Sequence, residues 1–381
     1  MQTFKAYRTY EDHGIVASRF VDMKVEDLDP GDVLVRTKYS TINYKDALSY
    51  NGTGRIMRKF PTVAGIDMSG TVEQSSDPRW HKGDKVIVHA YDMGVSHDGG
   101  YSEYVRVPGD WVVRRPDGMT AFDAMTLGTA GFTAALAIHL MQHNGLEPAK
   151  GPVAVTGATG GVGCVAIEVL AKLGYDVVAI TGKAKEEGNW LRSIGAKEVL
   201  ARQSIDLAKI RPLGPATYAG AIDNLGGDML AWLLSMQKIG GTVAAVGLAA
   251  DMKLITTVAP FILRGAHLLG VDSANTPMAL RQMLWNKLAV QWRPDRVHDQ
   301  VRTIARAGGR RDQVGRAGVP VVVVPALPHL DAGSHEPAGV GVASRSALGR
   351  LAVGSRRYPR TSPGAAGASA PTRAPQRGPR R

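Results

Sequence analysis

Gly157, Gly160 and Gly163 stand in the run Gly157-Ala158-Thr159-Gly160-Gly161-Val162-Gly163, after a short apolar stretch at 152–156 and before an apolar helical run at 165–173. The spacing answers a physical demand. A strand must turn tightly, backbone must approach a pyrophosphate, and the next helix must pack closely on the sheet, so side chains are excluded at those three positions. The N–H groups at the start of that helix, around Gly161 and Val162, then face phosphate oxygens together with the positive end of the helix dipole. The chemistry predicted is dinucleotide binding.

The strand expected at 177–180 runs into Thr181-Gly182-Lys183. An NAD site places Asp or Glu there, about 20 residues past the glycines, to hold the ribose hydroxyls. A carboxylate would repel a 2′-phosphate, whereas Lys183 attracts one, so the cofactor predicted is NADPH. Arg202, just after the apolar run 198–200, offers a second charge at the same pocket. A solvated surface role remains open for each cation taken alone.

The elements that must position these groups read as an α/β fold, a Rossmann-type doubly wound parallel sheet. Between 123 and 258 helical and strand patterns alternate: a helix at 122–140, the glycine unit, a helix ending at Ile194-Gly195, strands at 219–224 and 241–246, and a helix at 228–237 between them. Ligands of such sheets bind outside the carboxyl ends of the strands. Gly226-Gly227 and Gly247-Leu248 fall there.

Residues 1–122 read instead as many short strands with Gly and Pro turns, including 33–39 and 85–90, which suggests a compact barrel-like unit. A short helical segment begins near Asn43. A helix is expected at 278–288.

The net charge of +12 is carried almost wholly by the C-terminal segment 293–381, which holds 16 Arg, no Lys and 5 acidic residues. Residues 1–292 hold 30 basic and 29 acidic residues, which argues against a nucleic-acid-binding body. After Trp292 the composition turns to Arg, Ala, Gly and Pro within a few residues, as disorder or a shifted reading frame in GC-rich coding sequence would produce. Residues 319–324 are the one strand candidate in that segment. A single cysteine, Cys164, excludes an intrachain disulfide and a multi-cysteine zinc site. The N-terminus lacks a signal-peptide core, and neither a membrane span nor a membrane partner is expected, so the protein is read as cytoplasmic.

The segments Ser40-Thr41-Ile42-Asn43-Tyr44-Lys45-Asp46-Ala47-Leu48, 61–70, His97-Asp98-Gly99-Gly100-Tyr101, Gly128-Thr129-Ala130-Gly131-Phe132-Thr133-Ala134, the glycine run, 260–265 and Gly270-Val271-Asp272-Ser273 together resemble the acrylyl-CoA reductase subfamily. That subfamily belongs to the zinc-free, quinone-oxidoreductase-like medium-chain dehydrogenases/reductases. The resemblance runs from residue 1 to about 292. It implies a GroES-like substrate domain at 1–122, continued by 259–292, an NADPH-binding Rossmann domain at 123–258, and a homodimer acting on an acyl-CoA.

The activity implied is NADPH-dependent reduction of acrylyl-CoA to propionyl-CoA, with hydride added at the β-carbon and a proton at the α-carbon. The resemblance puts Tyr44 near the nicotinamide and the alkene, with Asn43 beside it. It places Thr133, Leu248, Ile262 and Ser273 along the nicotinamide half of the cofactor, and Lys183 and Arg202 at its 2′-phosphate. Hydride addition to an enoyl thioester builds charge on the carbonyl oxygen, which calls for a donor. Tyr44 offers a phenol and Asn43 an amide; capping or packing of the short helix is the competing role for both. No soft ligand stands at 41–46 or 65–67, where related alcohol dehydrogenases hold zinc, so no metal is expected. The basic residues Lys45, Arg55, Arg58 and Lys59 are candidates for coenzyme A phosphates or a solvated loop. A quinone or activated-alkene reductase, an inactive cofactor-binding remnant and a tail-driven nucleic-acid binder are the alternatives.

Overall fold

The computed structural model describes residues 3–50, 52, 56–296, 302–303 and 322–325. The chain opens on an antiparallel hairpin, β1 (Phe4–Asp12) and β2 (Ile15–Met23), closed by His13 and Gly14, both with positive φ. Sequence reading missed it, because His-Gly is not among the usual hairpin turn pairs. β3 (Val33–Ser40), α1 (Tyr44–Tyr50), β4 (Thr62–Val63), β5 (Asp67–Ser75), β6 (Lys85–His89), β7 (Tyr104–Val107) and β8 (Val112–Arg114) follow. β4 joins β1, and β3-β5-β6-β8 form an antiparallel sheet with β7 on β3. Alternating Val and Met side chains of these strands, among them Val33, Val35, Met68, Val86 and Val105, bury one core between them.

α2 (Ala121–His143) crosses from this unit to the next. β9 (Val153–Thr156), α3 (Gly161–Lys172), β10 (Val177–Thr181), α4 (Ala184–Ser193), β11 (Glu198–Ala201), β12 (Tyr218–Asp223), α5 (Gly227–Ser235), β13 (Gln237–Ala245), α6 (Ala259–Arg264) and β14 (His267–Gly270) then build a six-stranded parallel sheet. Its order is β11-β10-β9-β12-β13-β14, the doubly wound arrangement, with the switch point at β9 and β12. α7 (Met278–Ala289) packs Leu284, Trp285 and Leu288 into the same core as α2 and α3.

One expectation is revised. α2 is not one continuous helix, since Gly128 breaks it with φ 52° and ψ −155°. α2 is also long and apolar enough to cross a membrane, but most of its side chains are buried inside the protein, as suits a core helix.

Packing does not stop at Trp292. Trp292 is buried, Lys172 Nζ donates to the Arg293 carbonyl at 2.8 Å, and the Glu168 carboxylate accepts from the N–H groups of Asp295 and Arg296. Further on, β15 (Arg302–Thr303) pairs with β16 (Val322–Pro325), and β16 lies antiparallel to β3 at Ser40 and Tyr39. The strand candidate at 319–324 therefore overlaps an observed strand, which pairs with the C-terminal end of β3. The remainder of the Arg-rich segment lies outside the described residues.

Candidate functional site

The glycine run forms the turn between β9 and α3, and its glycines differ in what they exclude. Gly157 has φ +58°, a left-handed backbone that disfavours side chains. A Cβ on Gly163 would lie 2.4 Å from the Gly157 carbonyl oxygen, so helix and turn touch there. A Cβ on Gly160 would meet only that same oxygen, at 3.1 Å. Gly160 is the N-cap of α3 and supplies no capping side chain, so the first N–H groups of the helix, at Gly161, Val162 and Gly163, have none to bind. Thr159 reaches over the turn, its hydroxyl 3.5 Å from that of Thr181.

Beneath the turn, Asp223 at the end of β12 is fully buried. Thr156 Oγ1 donates to it at 2.6 Å and Gly226 N at 2.7 Å, while Asn224 Nδ2 donates to the Thr156 carbonyl at 2.7 Å. Burial raises the Asp223 carboxyl above its ordinary value. Two neighbouring strand ends are thereby locked at the switch point. Gly226 has φ 72°, and a Cβ on Gly247 would come within 2.6 Å of the Asn224 carbonyl oxygen.

β10 and β11 run parallel with Thr181 opposite Ala201, so Lys183 and Arg202 emerge at the same end of adjacent strands. Gly182 is exposed between them, and Gln203 Nε2 donates to its carbonyl at 3.1 Å. Lys183 N donates to Thr181 Oγ1 at 3.1 Å.

A second centre lies at Asp67, at the start of β5, which is fully buried. Its carboxylate accepts from Thr41 Oγ1 at 2.6 Å, Thr41 N at 3.1 Å, Asn43 Nδ2 at 2.9 Å, and Thr129 N and Oγ1 at 2.9 and 2.8 Å. The break at Gly128 makes this possible, because a Cβ there would lie 2.9 Å from Thr41 Oγ1 and 3.0 Å from Asp67 Oδ2. Asp67 thus sits at the start of the second half of α2 and holds the loop leading into α1 from the other side. One turn further along α2, Thr133 is buried and its hydroxyl donates to the Thr129 carbonyl at 2.7 Å.

Asn43 spends its amide N–H groups on Asp67 and on Thr41 Oγ1, the latter at 3.0 Å. Both amide hydrogens thus have partners within the protein. Tyr44, the first residue of α1, is 41% exposed. Leu248 and Ile262 are also exposed, on the loop after β13 and on α6, and Ser273 is half-buried after β14. Of the basic cluster, Lys59 pairs with Asp29, Lys45 lies exposed beside Tyr44, and Arg55 lies outside the described residues.

Asp46, three residues after Asn43, caps α1 by accepting from Asn43 N at 2.8 Å, and it also accepts from Ile66 N at 3.1 Å. Burial, with the Asp67 charge adding to it, pushes the Asp46 carboxyl up to about 7. Its folded value exceeds its unfolded one, so between those two values the folded chain binds the extra proton. The stability contribution is complete below the unfolded value near pH 4 and is lost as pH rises through about 7. Denaturant midpoints of the wild type should fall across that window, by a free energy on the order of a few kcal/mol. Asp46→Asn should flatten the fall, and an equally steep decline in the variant would refute the assignment.

The described residues do not suit a zinc ion. Among those described, no group of three or more His, Cys, Asp or Glu side chains could hold a metal. Asp67, at the position compared with the zinc ligands of alcohol dehydrogenases, is already surrounded by hydrogen-bond donors, and Cys164 is buried in α3.

Asp67 and Thr129 both stand in segments that carry the family resemblance, but nothing in their spacing shows that they meet. Only the glycine at 128, inside an otherwise helical pattern, hints at a close approach.

Residues 29–117 match the alcohol dehydrogenase GroES-like domain and residues 161–289 the zinc-binding dehydrogenase domain. Acrylyl-CoA reductase AcuI of Ruegeria pomeroyi is 45% identical over 292 residues, 77% of this chain and 88% of that protein. YhfP of Bacillus subtilis, whose name assigns it provisionally to the quinone oxidoreductases, is 45% identical over 294 residues, 77% of this chain and 89% of its own length. Its crystal structure with NAD bound superposes with a TM-score of 0.80, covering 85% of this chain and 100% of that one at 42% identity. The structure of Escherichia coli YhdH with bound NADPH gives a TM-score of 0.79 at 39% identity, covering 84% and 100%. With identity of this extent along nearly the whole of these relatives, the chain belongs to the quinone-oxidoreductase-like medium-chain dehydrogenases/reductases that include the acrylyl-CoA reductases.

Proposed function

We propose that this protein reduces the C=C bond of a 2-enoyl-CoA, acrylyl-CoA in the first instance, with NADPH and without zinc. The observation that carries the reading is the Asp67 cluster, which ties the Asn43–Tyr44 loop to the Thr129–Thr133 stretch of α2 at one buried carboxylate. Residues 1–122 with 259–292 form the substrate side and 123–258 the cofactor side in this reading. NADPH, when bound, supplies a hydride to the β-carbon.

The chain's own residues do the rest. The turn at Gly157, Gly160 and Gly163 and the start of α3 hold the pyrophosphate, and Lys183 and Arg202 the 2′-phosphate. Thr133, Leu248, Ile262 and Ser273 border the nicotinamide half. Tyr44 donates its phenolic hydrogen bond to the thioester oxygen as charge builds there and stands near the α-carbon that takes up the proton. Asn43, held through both N–H groups, positions Tyr44 rather than donating to substrate. Asp67 keeps both in place.

Tyr44→Phe is expected to lower kcat by roughly 10- to 100-fold with little change in NADPH affinity. Full turnover in that variant would remove Tyr44 from the chemistry. The reaction itself is tested by loss of NADPH absorbance with acrylyl-CoA, run beside a quinone. Faster turnover of the quinone would favour the second reading, which the relationship to YhfP supports. A homodimer is part of the proposal: β14 is a sheet edge, and Val258, Leu263 and Leu268 near it are exposed. A monomeric mass by light scattering would count against it.

A further inference from the structure

Arg281, on α7, is fully buried, and no ion pair compensates it among the described residues. Its Nη2 donates to the carbonyls of Ser273, Ala274 and Thr276 at 3.2, 3.0 and 3.3 Å. Its Nη1 lies 3.1 and 3.0 Å from His89 Nδ1 and Nε2 and donates weakly to the His89 carbonyl at 3.4 Å. Trp285 Nε1 donates to the same His89 Nε2 at 2.9 Å, so the imidazole serves as a neutral acceptor; burial and the Arg281 charge depress its basicity. The rings of Tyr91 and Phe132 cover the guanidinium, with centroids at 4.7 and 5.0 Å. A buried cation is costly, and these carbonyls, the imidazole and the aromatic faces, with the Asp272 charge acting from the loop, offset the cost.

The carbonyls belong to one loop. Residues 271–277 leave the C-terminal end of β14, where a doubly wound sheet opens on its ligand. The loop is braced internally by Asp272, whose carboxylate accepts from Ala274 N at 3.0 Å and Asn275 Nδ2 at 2.8 Å. The opposite side is gripped by Tyr91, whose N–H donates to the Ala274 carbonyl at 3.3 Å and whose ring stacks on Trp111 at 5.3 Å. Ala90 and Tyr91 hold φ of 70° and 50°, a strained left-handed pair that turns the chain out of β6 toward the guanidinium. Lys45, next to Tyr44, is near enough for its charge to act on Asp272, so the loop also borders α1.

We propose that Arg281 is a positioning residue for the cofactor: its fork fixes the Ser273–Thr276 loop at the crevice and registers it against β6 through His89 and Tyr91. The inference rests on the NADPH reading above. A fork is required, since three carbonyls and a ring cannot be spanned by the single ammonium of lysine. Methionine removes the buried charge but leaves the three carbonyls without this donor, so some stability is lost with it. Tyr91→Leu keeps the guanidinium and its hydrogen bonds to the loop, and so separates positioning from stability.

The experiment titrates NADPH into wild type, Arg281→Met, Arg281→Lys and Tyr91→Leu by fluorescence, with melting temperature and steady-state kinetics on the same samples. Arg281→Met and Arg281→Lys should raise the NADPH Kd about tenfold or more, with KM for NADPH rising more than kcat falls. Tyr91→Leu, which leaves the guanidinium in place, should raise Kd roughly threefold. Wild-type NADPH affinity in the methionine and leucine variants, whatever their melting temperatures, would overturn the inference alone. If Arg281→Met does not fold, Tyr91→Leu decides. A wild-type protein that binds no NADPH would overturn the functional reading and this inference with it.

Discussion

Asp67→Ala is expected to destabilise the protein by roughly 3–6 kcal/mol and to abolish enoyl-CoA reduction in whatever fraction stays folded. The carboxylate is fully buried and accepts from Thr41, Asn43 and Thr129, so its removal strands several donors at once. Each buried donor left unsatisfied costs on the order of 1–3 kcal/mol. Hydroxyls can turn to other acceptors; the N–H groups of Thr41 and Thr129 cannot. Turnover should fall beyond what stability explains, because the break at Gly128 and the entry to α1 are both fixed by this one group. Asp67→Asn keeps the shape but turns one acceptor into a donor facing other donors, so an intermediate loss of about 1–3 kcal/mol is expected. Urea unfolding and steady-state kinetics at one pH measure both effects. If Asp67→Asn matched the wild type in midpoint and in kcat, the carboxylate would not be the organising group.

The contrast between the two centres explains what the sequence could reveal. The glycine turn is local: Gly157, Gly160, Gly163 and Thr181 to Lys183 lie within one βαβ unit, and each position answers a demand of backbone geometry or phosphate charge that residue type and spacing express directly. The Asp67 cluster joins Thr41, Asp67 and Thr129, three segments with no shared period, so their meeting cannot be inferred from spacing. Gly128 hints at a close approach but does not say to what, because the helix-compatible residues on both sides mask the break. Which of the two roles offered for Asn43 its amide serves is not legible for a related reason: an amide's partners depend on the tertiary neighbours that occupy its hydrogens, not on its residue type. Arg281 lies still further from view, since a lone arginine on a helix reads as surface until burial is known. The same limit applies to the segment after Trp292, where composition marks a change but not the contacts of Arg293 to Arg296 with α3.

Cofactor choice is where the local reading can be tested hardest. Related structures of the same fold carry NAD in YhfP and NADPH in YhdH, so the fold does not decide for or against the 2′-phosphate. The residues at the ends of β10 and β11 must decide it. Lys183 and Arg202 project from adjacent strand ends, and no ion pair occupies either among the described residues, which leaves both charges available to a phosphate. Lys183→Asp combined with Arg202→Ala would replace attraction with repulsion for the 2′-phosphate and offer the ribose hydroxyls of NADH a carboxylate. The ratio of kcat/KM for NADPH over NADH is expected to drop by roughly 100-fold or more, mostly through a higher KM for NADPH. The single variants should each give a smaller part of that change, and the effect should shrink as salt is raised, because both cations are accessible to solvent. If the double variant kept the wild-type ratio, these cations would be solvated surface charges. The preference would then have to come from groups outside the β10–β11 edge, and the assignment of NADPH from Thr181-Gly182-Lys183 would lose its basis.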